Sequence, residues 1–121
     1  MQEFTITCFF RNEAVTKFKT DNHPVGNPFT DSFKNFSNNS IQLKKDDSIY
    51  LLTDGYIDQF GGPLSQKFSL KQFNRIIIEN FNKPMSELGS ILDENLVQWR
   101  NGHKKIFDQT DDVTVMGIKI F

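Results

Sequence analysis

Cysteine is nearly absent: Cys8 stands alone in 121 residues. No internal disulfide can form, which suits a reducing compartment. Cys8 lies in the largely apolar run 6–10, where it reads as a packed side chain. Long hydrophobic runs are also missing. No segment approaches the roughly 18–20 apolar residues of a membrane span, and no signal peptide opens the chain, so the expected location is cytoplasmic. Positive charge is never concentrated. Lys44 and Lys45 are answered by Asp46 and Asp47, Lys104 and Lys105 stand alone, and the net charge is −1. A nucleic-acid partner therefore has no electrostatic support. Histidine is scarce as well; His23 and His103 fall outside the acidic motifs and read as surface residues.

What is plentiful is phenylalanine, at 13 residues. Rings of that number fill a core, or form a face meant for a partner. The length fits one small domain or a large piece of one, and the 37% hydrophobic and 24% charged content is that of a globular chain.

Neither internal repeats nor low-complexity tracts interrupt the chain. Residues 4–10 and 14–19 read as two strands joined by a hairpin at Arg11-Asn12-Glu13. The stretch 20–39 is rich in Asn, Asp, Ser, Pro and Gly and reads as a long loop. Two further strands are expected at 40–43 and 48–52, separated by a polar turn. The run Ile49-Tyr50-Leu51-Leu52 is nearly continuous in apolar character, as in a strand covered on both faces.

Ser69 and Gln72 have the spacing of a capping box, with Phe68 and Phe73 placed as a hydrophobic staple. Leu70, Phe73, Ile76, Ile77 and Phe81 then recur at helical spacing. Pro84 suits the first position of a second helix, whose stripe is Met85, Leu88, Leu92, Leu96 and Trp99. Asn101-Gly102 suits its end, because both residue types tolerate a left-handed backbone. A closing strand is expected over 113–121. Four strands, two helices and one strand make an α+β fold, the helices packing on a mainly antiparallel sheet of about five strands.

Two acidic sites could carry chemistry. In Leu51-Leu52-Thr53-Asp54-Gly55 a carboxylate sits where a buried strand ends and a glycine lets the chain turn. Asp-Gly is equally a common turn dipeptide. Asp111-Asp112-Val113-Thr114 puts adjacent aspartates before the last strand, and their mutual repulsion is relieved by a cation or by hydration at the strand end. If the two strands are neighbours, Asp54 and Asp111 converge at one edge. Oxygen ligands without His or Cys favour Mg²⁺ or Mn²⁺ over zinc. A Ser-His-Asp hydrolase has no support, since no serine sits in a nucleophile elbow. A haloacid dehalogenase-type phosphatase needs Asp-x-Asp, and Tyr56 occupies the second position here.

These motifs, in this order, resemble the metal-dependent protein phosphatase superfamily, in particular its bacterial stage II sporulation protein E branch. An apolar strand ending in Thr53-Asp54-Gly55, two helices, and Asp111-Asp112-x-Thr114 before the last strand match the C-terminal half of that domain. Pro24-Val25-Gly26 is similar to the turn that precedes the middle strands of that half, and residues 56–63 to an extension found in multidomain signalling members.

The resemblance covers essentially all of residues 1–121 and implies half of an αββα sandwich. It implies that Asp54 and Asp111 each give a carboxylate oxygen to a binuclear Mg²⁺ or Mn²⁺ site, with Asp112 as a neighbouring or occasional ligand. Asp58 would orient water around the metals or be an ordinary helix-start carboxylate. The implied reaction is hydrolysis of phosphoserine or phosphothreonine on a signalling protein, in that family often an anti-sigma factor antagonist. The family's Asp-x-x-Gly-His segment, whose aspartate bridges both metals, does not occur in this sequence. The chain by itself is therefore expected to be inactive and to bind metal weakly, or to serve as a phosphatase-like interaction module. A half-sandwich would expose an apolar sheet face and strand edges, so self-association is expected.

Overall fold

Strand pairing carries the architecture. The computed structural model describes residue 4, residues 6–19 and residues 40–121. β1 (Ile6–Arg11) and β2 (Ala14–Lys19) form the expected hairpin around Asn12, whose φ of 55° supplies the left-handed turn residue. β3 (Ser48–Leu52) pairs antiparallel with β1 and also with β6 (Val115–Lys119). The result is a four-stranded antiparallel sheet in the order β2-β1-β3-β6. β3 is central, which is why its sequence is apolar almost throughout.

Between β3 and β6 lie a short helix α1 (Asp54–Ile57), a small hairpin of β4 (Phe60–Gly61) and β5 (Gln66–Lys67), and two longer helices. Those helices are α2 (Leu70–Glu79) and α3 (Met85–Asn101). Alternation along the sheet sends Ile6, Cys8, Phe10, Tyr50 and Leu52 toward the helices, where they meet Phe73, Ile77, Leu88, Leu92 and Leu96. Tyr50, Tyr56 and Phe73 form the centre of this core, with edge-to-face ring contacts of 5.6–5.9 Å. Cys8 is fully buried, and desolvation pushes its thiol up to about 11, which keeps it protonated and inert.

The structure departs from the sequence expectations in several places. Residues 40–44 form no strand, and Asp47 explains their course. This buried carboxylate accepts the Arg11 guanidinium in a bidentate pair at 3.0 and 2.8 Å and caps the Lys44 N–H at 2.7 Å. Arg11 also donates to the Gln42 carbonyl, so the segment is held by side chains instead of a ladder. The long loop expected over 20–39, with the Pro24-Val25-Gly26 turn, lies outside the described residues, as does His23. The β4–β5 hairpin and α1 were not anticipated; at two to four residues each they are too short to leave a periodic signal.

Ser69 caps α2 through Gln72 N–H, yet the Gln72 amide turns to the Phe68 carbonyl, so only one arm of the capping box forms. Pro84 is the N-cap of α3 instead of its first helical residue, with ψ of 156°. Gly102 ends α3 at φ −79°, not in the left-handed region. Glycine is favoured there for space, since a Cβ would lie 2.6 Å from the Gln98 carbonyl oxygen.

Two outcomes follow. Phe73→Ala should lower unfolding free energy by about 3–5 kcal/mol in denaturant titration, because a fully buried ring leaves a cavity among aromatic neighbours. The Arg11 guanidinium holds the Asp47 carboxyl below the usual carboxylate range. A depressed folded-state pKa gives stability that is present above the unfolded value and lost as pH falls through the folded one. The melting temperature should therefore drop on acidification below about pH 4, and Asp47→Asn should lower the neutral-pH midpoint and flatten that acid limb.

Candidate metal centre

The antiparallel pairing of β3 with β6 sets Leu52 opposite Val115. The residue that leaves β3 and the residues that enter β6 must then share one edge of the sheet. Thr53 fastens that edge. Its N–H donates to the Thr114 carbonyl at 3.1 Å, and its Oγ1 accepts the Thr114 N–H at 3.0 Å. The same hydroxyl lies 3.5 Å from the Asp112 carbonyl. Thr53 is 1% exposed, and a hydroxyl buried there satisfies main-chain groups that the strand ladder has stopped serving.

Asp54 follows directly as the first residue of α1 and is half-buried. Gly55 explains the closeness of the two segments. A Cβ on Gly55 would stand 2.1 Å from the Asp112 carbonyl oxygen and 3.4 Å from Val113 Cγ2. The glycine is thus required by the approach of two backbones. On the other side of the contact, Asp111 Oδ1 accepts the Asp112 N–H at 2.9 Å, and both residues are exposed. The structure therefore sets the segment 53–55, which contains Asp54, against the segment 112–114, which follows Asp111.

Asp58 goes elsewhere. It ends α1, donating its backbone N–H to the Asp54 carbonyl, and its side chain pairs with Lys67 of β5 at 3.6 Å. It is the C-cap of α1 and not a helix-start residue. His103 stacks edge-on against Trp99 at 6.4 Å, on the loop after α3.

Sequence reasoning overlooked the residues that lead the chain to Asp111. Gln59 is 2% exposed and its amide donates to the Asp108 carbonyl at 2.8 Å and the Phe60 carbonyl at 2.9 Å. The Trp99 indole donates to the Gln59 carbonyl at 2.9 Å, and Trp99 also accepts the Gly62 N–H. Arg100 reaches the Phe107 carbonyl at 3.1 Å. Together these bonds tie the segment after α3 to the β4–β5 hairpin and deliver it to the sheet edge. A glutamine within a polar, glycine-rich stretch gives no pattern by which such a role could be read.

Carboxylates at a strand edge suit a hard divalent cation in kind. They fall short in number. Among the described residues no group of three or more His, Cys, Asp or Glu side chains is arranged to hold a metal ion. These residues do not make a complete metal site by themselves.

A sheet of this order, covered by two helices and ending in acidic strand edges, is part of a PP2C phosphatase fold. The SiaA-PP2C domain of Pseudomonas aeruginosa superposes with a TM-score of 0.78 at 22% identity, covering 96% of this chain and 43% of that one. The PP2C phosphatase domain with a fragment of the regulatory domain of the cell fate determinant SpoIIE from Bacillus subtilis gives 0.69 at 24%, covering 97% and 31%. The SpoIIE phosphatase domain from the same organism, Mn presoaked, gives 0.60 at 23%, covering 96% and 46%. This chain thus spans less than half the length of each. No curated protein sequence matches it. The family model for stage II sporulation protein E matches residues 7–121, and the chain belongs to that family.

Gly55→Ala tests the edge. Forcing a methyl against the Asp112 carbonyl should cost at least about 1–3 kcal/mol in thermal or denaturant unfolding. Amide exchange should rise at 112–114, while Gly89→Ala, whose methyl meets open space, should leave those amides unchanged.

Proposed function

We propose that this chain is the C-terminal portion of a metal-dependent protein serine/threonine phosphatase domain. The observation that carries the reading is the close approach of segment 53–55 to segment 112–114, which sets the chain at Asp54 beside the chain at Asp112. Family membership and the shared fold support it. In a complete domain Asp54 and Asp111 would each give a carboxylate oxygen to Mn²⁺ or Mg²⁺, with Asp112 beside them. A divalent metal held in the complete domain would supply activation of a water nucleophile and neutralisation of phosphoryl charge. The substrate class is a phosphoserine or phosphothreonine protein, an anti-sigma factor antagonist being the candidate that family membership suggests, and the expected location is cytoplasmic. No helix among the described residues is long and apolar enough to cross a membrane.

The chain alone supplies too few carboxylates to hold two cations against their hydration, since Mg²⁺ dehydrates reluctantly. It is therefore inactive by itself. The short donor set also favours a second reading, a non-catalytic phosphatase-like module that binds a protein partner.

Calorimetric titration with Mn²⁺ should give a dissociation constant in the range of weak oxygen-ligand sites, about 10⁻⁴–10⁻³ M, raised further by Asp54→Ala. p-Nitrophenyl phosphate and a phosphoserine peptide should show no turnover in Mn²⁺. Robust hydrolysis abolished by Asp54→Ala would contradict the inactivity of the chain. Metal binding indifferent to Asp54→Ala and Asp111→Ala would remove the metal role of the edge.

A further inference from the structure

β6 is an edge strand of the sheet. It lies at the end of the strand order, and among the described residues nothing pairs with its far side. Both of its faces are open as well. Met116 and Ile118 are 47% and 42% exposed on the face away from the helices. On the helix side, Val113, Val115 and Gly117 border an apolar cleft of about 280 Å³ against Met85 and Gly89 of α3. The opposite edge, β2, carries Lys17, the kind of charge that discourages strand addition. β6 carries charge only at Lys119.

The main-chain groups facing outward can be identified. Thr114 accepts from Thr53, while Ile120 donates to Asp47 at 2.8 Å and accepts from Asp46 at 2.8 Å. Thr114 and Ile120 therefore point their backbone polar groups toward β3 and its approach. The two-residue alternation of an antiparallel ladder turns those of Val115, Gly117 and Lys119 toward the side away from β3.

We infer that β6 pairs antiparallel with β6 of a second copy of this chain about Gly117, with Phe121 of each copy covering the α3–β6 cleft of the other. In that register the outward groups of Gly117 meet those of the second Gly117, and those of Val115 meet Lys119. On the outer face Met116 lies opposite Ile118, so the exposed apolar side chains cover one another and no like charges are opposed. Val113 lies opposite Phe121. Phe121 is 97% exposed, and it belongs by alternation to the same face as the residues that border the cleft. An apolar cavity of roughly 150 Å³ already accepts a benzene ring, so the cleft can take a phenyl side chain. A twofold axis through the strand makes the contact closed, producing a dimer and not a fibre. This contact uses neither the acidic edge nor metal, so it stands or falls separately from the phosphatase reading.

Sedimentation equilibrium of the 121-residue chain over a dilution series should show a monomer–dimer equilibrium. Lys119→Pro removes an outward N–H that the β3 ladder does not use, and Phe121→Ala empties the cleft. Each should raise the dimer dissociation constant about tenfold or more, with the circular dichroism of the monomer unchanged. Phe121 is so exposed that its truncation leaves the fold intact, which keeps the test decisive even if Lys119→Pro misfolds. A monomer at every concentration, or a dimer indifferent to Phe121→Ala, overturns the inference.

Discussion

The pairing of β3 with β6 is the constraint on which the rest depends. It joins two segments that are distant in sequence, and it does so in antiparallel sense, so the exit of one strand meets the entrance of the other. The chain at Gly55 meets the chain at Asp112 through that ladder. Thr53 extends the ladder one step past the last regular pair by using its hydroxyl as a further acceptor for Thr114. Gly55 then permits the backbones to touch where any side chain would hold them apart. Edge geometry is thus set by a hydroxyl and by a missing methyl, neither of which is itself acidic.

The core explains why this edge is rigid on one side and lightly held on the other. β3 is flanked by two strands and backed by Tyr50 and Leu52, which are buried against α2 and α3. Asp54 therefore leaves a strand that is fixed in every direction. β6 has one described neighbour and an open cleft where α3 could cover it more closely. The approach to Asp111 relies instead on a polar relay, with Trp99 holding Gln59 and Gln59 holding Asp108. An amide buried at 2% exposure makes a strong tie, because breaking it would leave polar atoms without water.

Much of this was legible in the sequence, for physical reasons that differ by element. β1, α2 and α3 were readable because burial on one face forces a period on the residues, β3 because its apolar run is nearly continuous, and Ser69 marked the start of α2 directly. Residues 40–43 misled because Ile41 and Leu43 alternate as a strand would, yet both are exposed and the segment is fixed by Arg11 and Asp47 from a distance. No local pattern encodes such a contact. The acidic motifs at Asp54 and Asp111 were visible as strand-end carboxylates, whereas Thr53, Gln59 and the need for Gly55 emerge only once the two segments are seen together. Asp58 shows the opposite case: it is close to Asp54 in sequence, but the turn of α1 carries it to Lys67.

One strand, β6, thus carries two separate properties on different surfaces. Its entrance brings Asp111 and Asp112 to the edge fastened by Thr53, while its outward side leaves the backbone groups of Val115, Gly117 and Lys119 unserved by β3. Gly117 links the two. A Cβ there would press on the Tyr50 ring at 2.8 Å and the Met85 sulfur at 3.1 Å, so a larger residue would push β6 away from the core. That displacement would act on Val115 and, through it, on the Thr53–Thr114 fastening. Keeping glycine lets the strand lie close enough for Thr53 to reach it, and the same lack of side chain leaves the cleft beside it unfilled. Tightness at the acidic edge and openness at the outer edge therefore share one structural cause.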